Sequence, residues 1–520
     1  MKPNFLFVMA DQLRADLRKS RDFPLDVMPF LDAWAQGGVD FDRAYTANPT
    51  CMPARVSMMT GRYPQCHRVR TNHNAADVLY TQDLIDILRE NGYRTALCGK
   101  NHTHRSVHDF DFSAPNGHNG LEGDRPQTQE EAALTDFLRA LQSRESLTPS
   151  PGTVRAQYPY RNVTDALRFI DGLEGDAPFF AWVSFAEPHP PYQAPAPYFD
   201  LFPPQSLPAL PSAQMDPALK GPRYVWTRGI WARVMQGDEQ ARIARARSNY
   251  LGMIRLIDDQ FRRLIEGLRA RGLEQRTVVV FLADHGDFAG EYGLTRKGPD
   301  LSQALTRIPM VWRGPGIAPQ GLQASACVNI VDVLPTICDI LDVPLPLGCQ
   351  GRSLLPLLQG RQAPPHEFDV GYSESGYGGL YWTAQDGLTP EQEGATRDYT
   401  TFDTLNSWTQ SGQVRMVRKG DYALQLDMMG DGYLYCLRTD PAEQRNLFGD
   451  PAHAAVQADL LRELAAAMMR ACDPLPPPRS RYRLKLHPRG YWRAQFAASD
   501  PGIPGGASSS RTKSPHSPTK

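Results

Sequence analysis

The chain has 520 residues, 41% of them apolar and 22% charged, and its Lys+Arg 56 against Asp+Glu 57 leaves a formal net charge of −1. That length exceeds one ordinary core and predicts a large domain with a smaller one beside it, while the balanced charge argues against a nucleic-acid partner. No apolar run approaches a membrane span, and the eight cysteines lack the paired spacing of a zinc knuckle or a disulfide framework.

The apolar run Phe5 to Ala10 is too short for the apolar region of a secretion signal and has no small-residue cleavage site, so the expected location is the cytoplasm. Asn4 to Ala10 instead reads as a central strand covered on both faces, and it ends abruptly in Asp11-Gln12. In open α/β sheets ligands bind at the carboxyl ends of strands, so a carboxylate there faces a site. A short helix is expected from near Pro29, ended by Gly37-Gly38, and then a strand from Val39 to Ala44.

In Asn48-Pro-Thr-Cys-Met-Pro-Ala-Arg-Val-Ser-Met-Met-Thr-Gly-Arg62, Pro53 suits the first turn of a helix and Gly61 the position past its end. Cys51 therefore stands at a helix N-terminus, where unpaired N–H groups favour an anion or a lowered thiol pKa, and Arg55 adds a cation one turn on. This is a cradle for an oxyanion with a modifiable thiol at its centre. The spacing from Cys51 to Arg55 is shorter than the loop with which cysteine-dependent phosphatases wrap an oxyanion, which sets that chemistry aside.

From Thr81 to Asn91 the pattern is amphipathic, with Leu84, Ile87 and Leu88 on one face. The next strand, Tyr93 to Cys98, runs into Gly99-Lys100-Asn101-His102-Thr103-His104. Residues 105 to 160 are weakly patterned and read as a variable insertion that shapes substrate choice; His104, His108 and His118 read as exposed loop residues. A helix from Asn162 to Leu173 precedes the strand Pro178 to Phe185, which runs into Glu187-Pro-His189. A long helix lies within 238–271, and the strand Thr277 to Ala283 ends in Asp284-His285-Gly286-Asp287. Four apolar strands that end in acids or metal-binding side chains point to a single site along one edge of a sheet.

Asn329 to Leu341 is a further amphipathic helix. Beyond about residue 365, antiparallel strands over 413–426 and 432–437 and a helix over 454–472 read as a small α+β domain. The expected fold is α/β, a large, mixed, mostly parallel sheet sandwiched by helices. Residues 1–365 would form the catalytic domain, 366–475 the small α+β domain, 476–501 a C-terminal arm and 502–520 a disordered tail. Pro474 to Arg479 reads as a linker. The cluster Arg479, Arg481, Arg483, Lys485, Arg489 and Arg493, interleaved with Tyr482, Tyr491 and Trp492, reads as a solvated strand or an arm packed on a neighbouring subunit.

Cys51-Met-Pro-Ala-Arg55 followed by Thr60-Gly-Arg62 resembles the type I sulfatase signature, in which a dedicated enzyme oxidises the Cys to formylglycine. Asn4 to Gln12 is similar to that family's first strand and metal-binding pair. Gly99-Lys100-Asn101-His102 resembles its Gly-Lys-Trp-His, and Asp284 to Asp287 with Lys297 its second metal pair and following lysine. Arg313-Gly-Pro-Gly316, Asp332-Val-Leu-Pro-Thr336 and Gly432 to Pro441 also match family landmarks, so the likeness spans most of residues 4–450.

The resemblance to sulfatases of the alkaline phosphatase superfamily implies an alkaline-phosphatase-like fold and one divalent cation bound by Asp11, Gln12, Asp284 and His285 with the modified Cys51. It implies that Arg55, Lys100 and Lys297 hold the remaining charge, that His189, or His102 working with it, protonates the leaving oxygen, and that Asn72 or Asn74 touches substrate. A formylglycine-generating or sulfatase-maturating enzyme is the implied partner, and subunit number, including a homo-oligomer, stays open. The family's usual ion is Ca²⁺. Gln12 and His285 replace harder or charged oxygen ligands, which makes Mn²⁺ or another transition metal more competitive; Mg²⁺ is also open.

A similar pairing occurs in the phosphonate monoester hydrolases, but those enzymes lack the Lys and His of Gly-Lys-x-His, and both are present here. The expected substrate is thus a small sulfate monoester of unspecified alcohol. A phosphonate or phosphodiester is the alternative, and a silent binder of sulfated ligands the third reading.

Overall fold

The computed structural model describes residues 2–118, 120–121, 125–142, 144–221, 223–225, 227–229, 238–298, 300–381, 411–472 and 487–495. In chain order the strands of the main sheet are β1 (Asn4–Asp11), β2 (Val39–Tyr45), β3 (Arg94–Gly99), β4 (Phe112–Gly117), β5 (Gly120–Leu121), β6 (Phe179–Pro188), β7 (Thr277–Ala283), β8 (Met310–Arg313) and β9 (Gly321–Asn329). They form a nine-stranded sheet in the order β5-β4-β3-β6-β1-β7-β8-β2-β9. Pairing is parallel from β4 through β7 and between β2 and β9; β8 is antiparallel to both neighbours and β5 to β4.

The continuous apolar runs account for this arrangement, because strands buried on both faces need no polar alternation. Every residue of β1, β6 and β7 is buried. Helices cover the sheet in two groups. Pro29–Ala35, Tyr158–Asp171 and Glu239–Ala270 pack together, and Cys51–Thr60 packs with Leu84–Glu90 and Val333–Leu341. On the long helix the apolar stripe Tyr250, Met253, Ile254, Ile257, Phe261, Leu264 and Leu268, at spacings of three and four, is buried.

The segment from 105 to 160 differs from the unpatterned insertion expected. It carries β4 and β5 at the sheet edge and a helix, Gln129–Leu141, started by a reciprocal cap between Thr128 and Glu131. Phe-Ser-Ala-Pro-Asn-Gly has too little apolar content to read as a strand; partnership with β3 supplies the order. The helix expected from Asn162 begins earlier, at Tyr158, with Pro159 in its first turn.

A second sheet is antiparallel, in the order β10 (Val370–Gly378), β11 (Gly412–Lys419), β12 (Tyr422–Asp427) and β13 (Gly432–Cys436). The helix Ala454–Cys472 lays Leu460 and Leu464 against Val417, Leu424 and Leu434. Residues 474–479 and 502–520, with Arg481, Tyr482, Arg483 and Lys485, lie outside the described residues. The described part of the arm packs on its own chain. Tyr491 is buried and donates to Ser353 O at 2.9 Å, Arg489 pairs with Asp339 at 2.8 Å, and Arg493 pairs with Glu463 at 2.8 Å. Among the described residues no helix is long and apolar enough to cross a membrane.

Candidate active site

Strands β3, β6, β1 and β7 are neighbours and parallel, so their carboxyl ends share one edge. That places Asp11, Lys100, His189 and Asp284 beside one another. Two glycines permit the close packing. A Cβ on Gly99 (φ 113) would lie 2.0 Å from Ser184 O, and one on Gly286 would lie 2.0 Å from Ala304 O. The helix Cys51–Thr60 brings in the thiol. Its ten residues are all buried, and Gly61 (φ 63) ends it in the left-handed conformation.

Asp11, Cys51, Asp284 and His285 are buried and present one liganding atom each, all within 4.8 Å of one another. Cys51 Sγ lies 3.6 Å from Asp11 Oδ1, 3.2 Å from His285 Nε2 and 3.1 Å from Lys297 Nζ. His285 Nδ1 donates to Gly286 O at 2.8 Å, which leaves Nε2 for the cluster. Gln12 donates its amide N–H to Asp287, so Oε1 is the atom turned inward, 3.3 Å from Lys297 Nζ. Arg55 spans both carboxylates, from Nε to Asp284 Oδ2 at 2.8 Å and from Nη2 to Asp11 Oδ2 at 3.1 Å, and its Nη1 donates to Ser184 Oγ at 2.8 Å. Lys100 also donates to Asp11 Oδ2.

Burial opposes ionisation of Asp11, but Lys100 and Arg55 hold it well below the usual carboxylate range. Burial and Asp11 likewise oppose the Cys51 thiolate, yet Lys100, Lys297 and His285 pull the thiol well below its ordinary value. The sequence expectation rests on the helix N-terminus and Arg55; here Lys100, Lys297 and His285 supply the lowering. Burial would discharge His285, but Asp284 and Cys51 together outweigh it and raise the imidazole. Two carboxylates, an imidazole nitrogen, an amide oxygen and residue 51 form a donor set that fits one hard or borderline divalent cation.

The other residues singled out from sequence divide. His102 is hydrogen-bonded to Cys51, while burial and Lys100 push its imidazole down. His189 is buried at 6% exposure, and burial pushes it well below the ordinary histidine value. Asn72 Oδ1 accepts from Met52 N at 3.1 Å, so it caps the Cys51 helix. Asn74 ties its own loop together through Arg70 N, Thr71 N, Arg68 O and Asp77.

Sequence reading missed four side chains. Asp287 orients Gln12, and Tyr192 OH donates to Asp287 at 2.8 Å. Ser184 receives Arg55, and His118, read as an exposed loop residue, stands 2.6 Å from Lys100 Nζ. The available signal for Asp287 was its place in Asp284-His285-Gly286-Asp287; His118 follows a strand with too little apolar content to recognise.

The family model described as Sulfatase matches residues 3–343 of the chain. The chain belongs to the sulfatase family. This sulfatase is 25% identical over 505 residues to the arylsulfatase of Clostridium perfringens (strain 13 / Type A), covering 89% of this chain and 94% of that one. It is 27% identical over 506 residues to the choline-sulfatase of Rhizobium meliloti (strain 1021), covering 90% and 86%. The solved structure of the phosphonate monoester hydrolase of Agrobacterium radiobacter shares the fold with a TM-score of 0.73 at 23% identity, covering 90% of this chain and 96% of that one. The sulfatase is thus a hydrolase of alkaline-phosphatase-like fold.

Proposed function

We propose that this sulfatase hydrolyses a small sulfate monoester, using as nucleophile the hydrate of a formylglycine made from Cys51. Asp11, Gln12, Asp284, His285 and residue 51 would hold one divalent cation, Ca²⁺ by family with Mn²⁺ or Mg²⁺ as alternatives. One observation carries the reading: Cys51 Sγ lies within 3.6 Å of Asp11, His285 and Lys297 at the buried end of a helix. A cation held there would supply Lewis-acid polarisation of a sulfate oxygen and of the aldehyde hydrate's hydroxyl.

The protein's own groups do the rest. Arg55 fixes Asp11 and Asp284 in one plane of hydrogen bonds and anchors the helix that carries residue 51. Lys100 and Lys297 hold the negative charge that builds on nonbridging oxygens as the S–O bond breaks. His189, assisted by His102, protonates the leaving oxygen, a contribution of about 10²- to 10⁴-fold. Burial keeps His189 uncharged without substrate, and an anionic sulfate beside it favours the protonated form.

Cys51 is 1% exposed, so a maturating enzyme has to reach it before the chain closes. All eight cysteines are free, which supports a cytoplasmic location. The second reading, a phosphonate monoester or phosphodiester hydrolase, is favoured by the Gln12 and His285 pair and by the fold neighbour. Lys100 and His102 at the thiol support the sulfate reading over it.

The test is paired turnover of a 4-nitrophenyl sulfate and a 4-nitrophenyl phosphonate by metal-loaded protein with residue 51 converted. A higher kcat/KM on the sulfate is expected. A higher value on the phosphonate selects the second reading, and equal turnover by Cys51→Ala rejects both.

A further inference from the structure

His118 falls in none of the sequence motifs that identify the family, yet it joins two parts of the site. It directly follows β4, which runs parallel to β3, so the chain leaves β4 on the same edge as Lys100. His118 Nε2 lies 2.6 Å from Lys100 Nζ. A lysine ammonium has only donors, so Nε2 accepts and the ring N–H is on Nδ1. The face of the same ring stacks on His189, with centroids 3.6 Å apart and planes inclined by 20°. His189 Nδ1 donates to Pro190 O at 2.6 Å, which makes Nε2 the nitrogen that can hand on a proton.

One imidazole therefore bridges the residue after β3 and the residue after β6, both nearly buried, with Lys100 4% and His189 6% exposed. Behind it, His118, Glu187, His189 and Gln193 line a cavity of about 10 Å³. Among the described residues, Nδ1 of His118, Oε2 of Glu187 and Oε1 of Gln193 have no hydrogen-bond partner. The ring is held at its edge by Lys100 and at its face by His189.

We propose that His118 is a positioning residue for leaving-group protonation: gripped by Lys100, it holds the His189 ring in the orientation that delivers a proton to the departing oxygen. The inference rests on the assignment of His189 as the leaving-group acid in the function proposed above. Nε2 accepts from the Lys100 ammonium and so carries no proton, which leaves the platform under His189 neutral; burial and then Lys100 push the imidazole in the same direction. A neutral ring face tolerates a positive partner, whereas two imidazolium rings at 3.6 Å would repel. In the step served, the His189 Nε2–H bond breaks, an O–H bond forms on the leaving alcohol, and the S–O electron pair goes to that oxygen.

The readout is the ratio of kcat on 4-nitrophenyl sulfate, whose oxygen departs with little help, to kcat on phenyl sulfate, whose oxygen needs the proton. In His118→Ala this ratio is expected to rise by about tenfold or more over the unsubstituted enzyme. His118→Phe, which keeps a stacking face and most of the volume, is expected to bring the ratio part of the way back. A merely structural role lowers both rates together and leaves the ratio alone, so an unchanged ratio in His118→Ala overturns the proposal. A raised ratio that His118→Phe does not lower overturns the stacking role. If the unsubstituted enzyme turns over phosphonates instead, the same ratio is measured on 4-nitrophenyl and phenyl phosphonates, so failure of the sulfate reading and failure of the His118 role are separate results.

Discussion

Glu187, two residues before His189, is 6% exposed, and burial, reinforced by Asp11, pushes its carboxyl up to about 7 from an ordinary 4.5. A carboxyl raised in the folded state binds its proton there while the unfolded chain has already lost it. Its contribution to stability is therefore fully present below the unfolded value of 4.5 and is lost as pH rises through about 7. Glu443 and Asp258 are raised as well, so only a comparison with a variant isolates Glu187. In Glu187→Gln the fall in unfolding free energy between about pH 5 and pH 8 is expected to be smaller by on the order of 2–3 kcal/mol, read by urea unfolding across that range. Parallel pH curves for the two proteins contradict the account. At this scale Asp11, Lys100, His189 and Asp284 were legible because each ends or follows an apolar strand. Gln12 was legible as a neighbour, but the direction of its amide was not, since Asp287 sets it from 275 residues away.

The helix Cys51–Thr60 shows the same division at the scale of elements. Pro53 and Gly61 announce where it starts and stops, but Thr50 makes no side-chain cap. Asn72, from a later loop, caps Met52 N instead. Likewise Pro29 marks a helix start, while the cap comes from Asp258, whose carboxylate accepts from Phe30 N and Leu31 N at 2.8 Å each. Local punctuation is readable; a partner supplied by tertiary folding is not. Strand β10 was missed for a related reason, because Gly371, Gly376 and Gly378 weaken its pattern and pairing with β11 defines it. Asn72→Ala is expected to cost about 1 kcal/mol in urea unfolding with KM unchanged. A raised KM with unaltered stability would give Asn72 the substrate contact instead.

At the scale of the whole molecule, Lys220 joins the small sheet to the loop that follows β7. Its Nζ lies 4.4 Å from the ring centroid of Tyr435, 4.8 Å from Tyr292 and 5.6 Å from Tyr224, and 3.4 Å from Asp300. Tyr435 belongs to β13, while Tyr292 and Asp300 flank Lys297, so the small sheet braces the loop that carries an active-site cation. Glu443 Oε2 adds a bond from Gln303 N at 2.9 Å. Lys220→Met keeps the volume and removes the charge. It is expected to lower stability by about 2 kcal/mol and to reduce kcat more than it changes KM, read by urea unfolding and steady-state rates. Unchanged kcat would show that the Lys297 loop holds its position without the brace.

The account as a whole depends on residue 51 as an aldehyde in the pocket of Asp11, Asp284 and His285. The most direct measurement is turnover of 4-nitrophenyl sulfate against the fraction of residue 51 found as formylglycine by peptide mass spectrometry, in samples made with graded amounts of a maturating enzyme. The account predicts a line through the origin, with Cys51→Ala at zero. Turnover that stays constant as the aldehyde fraction changes would contradict it.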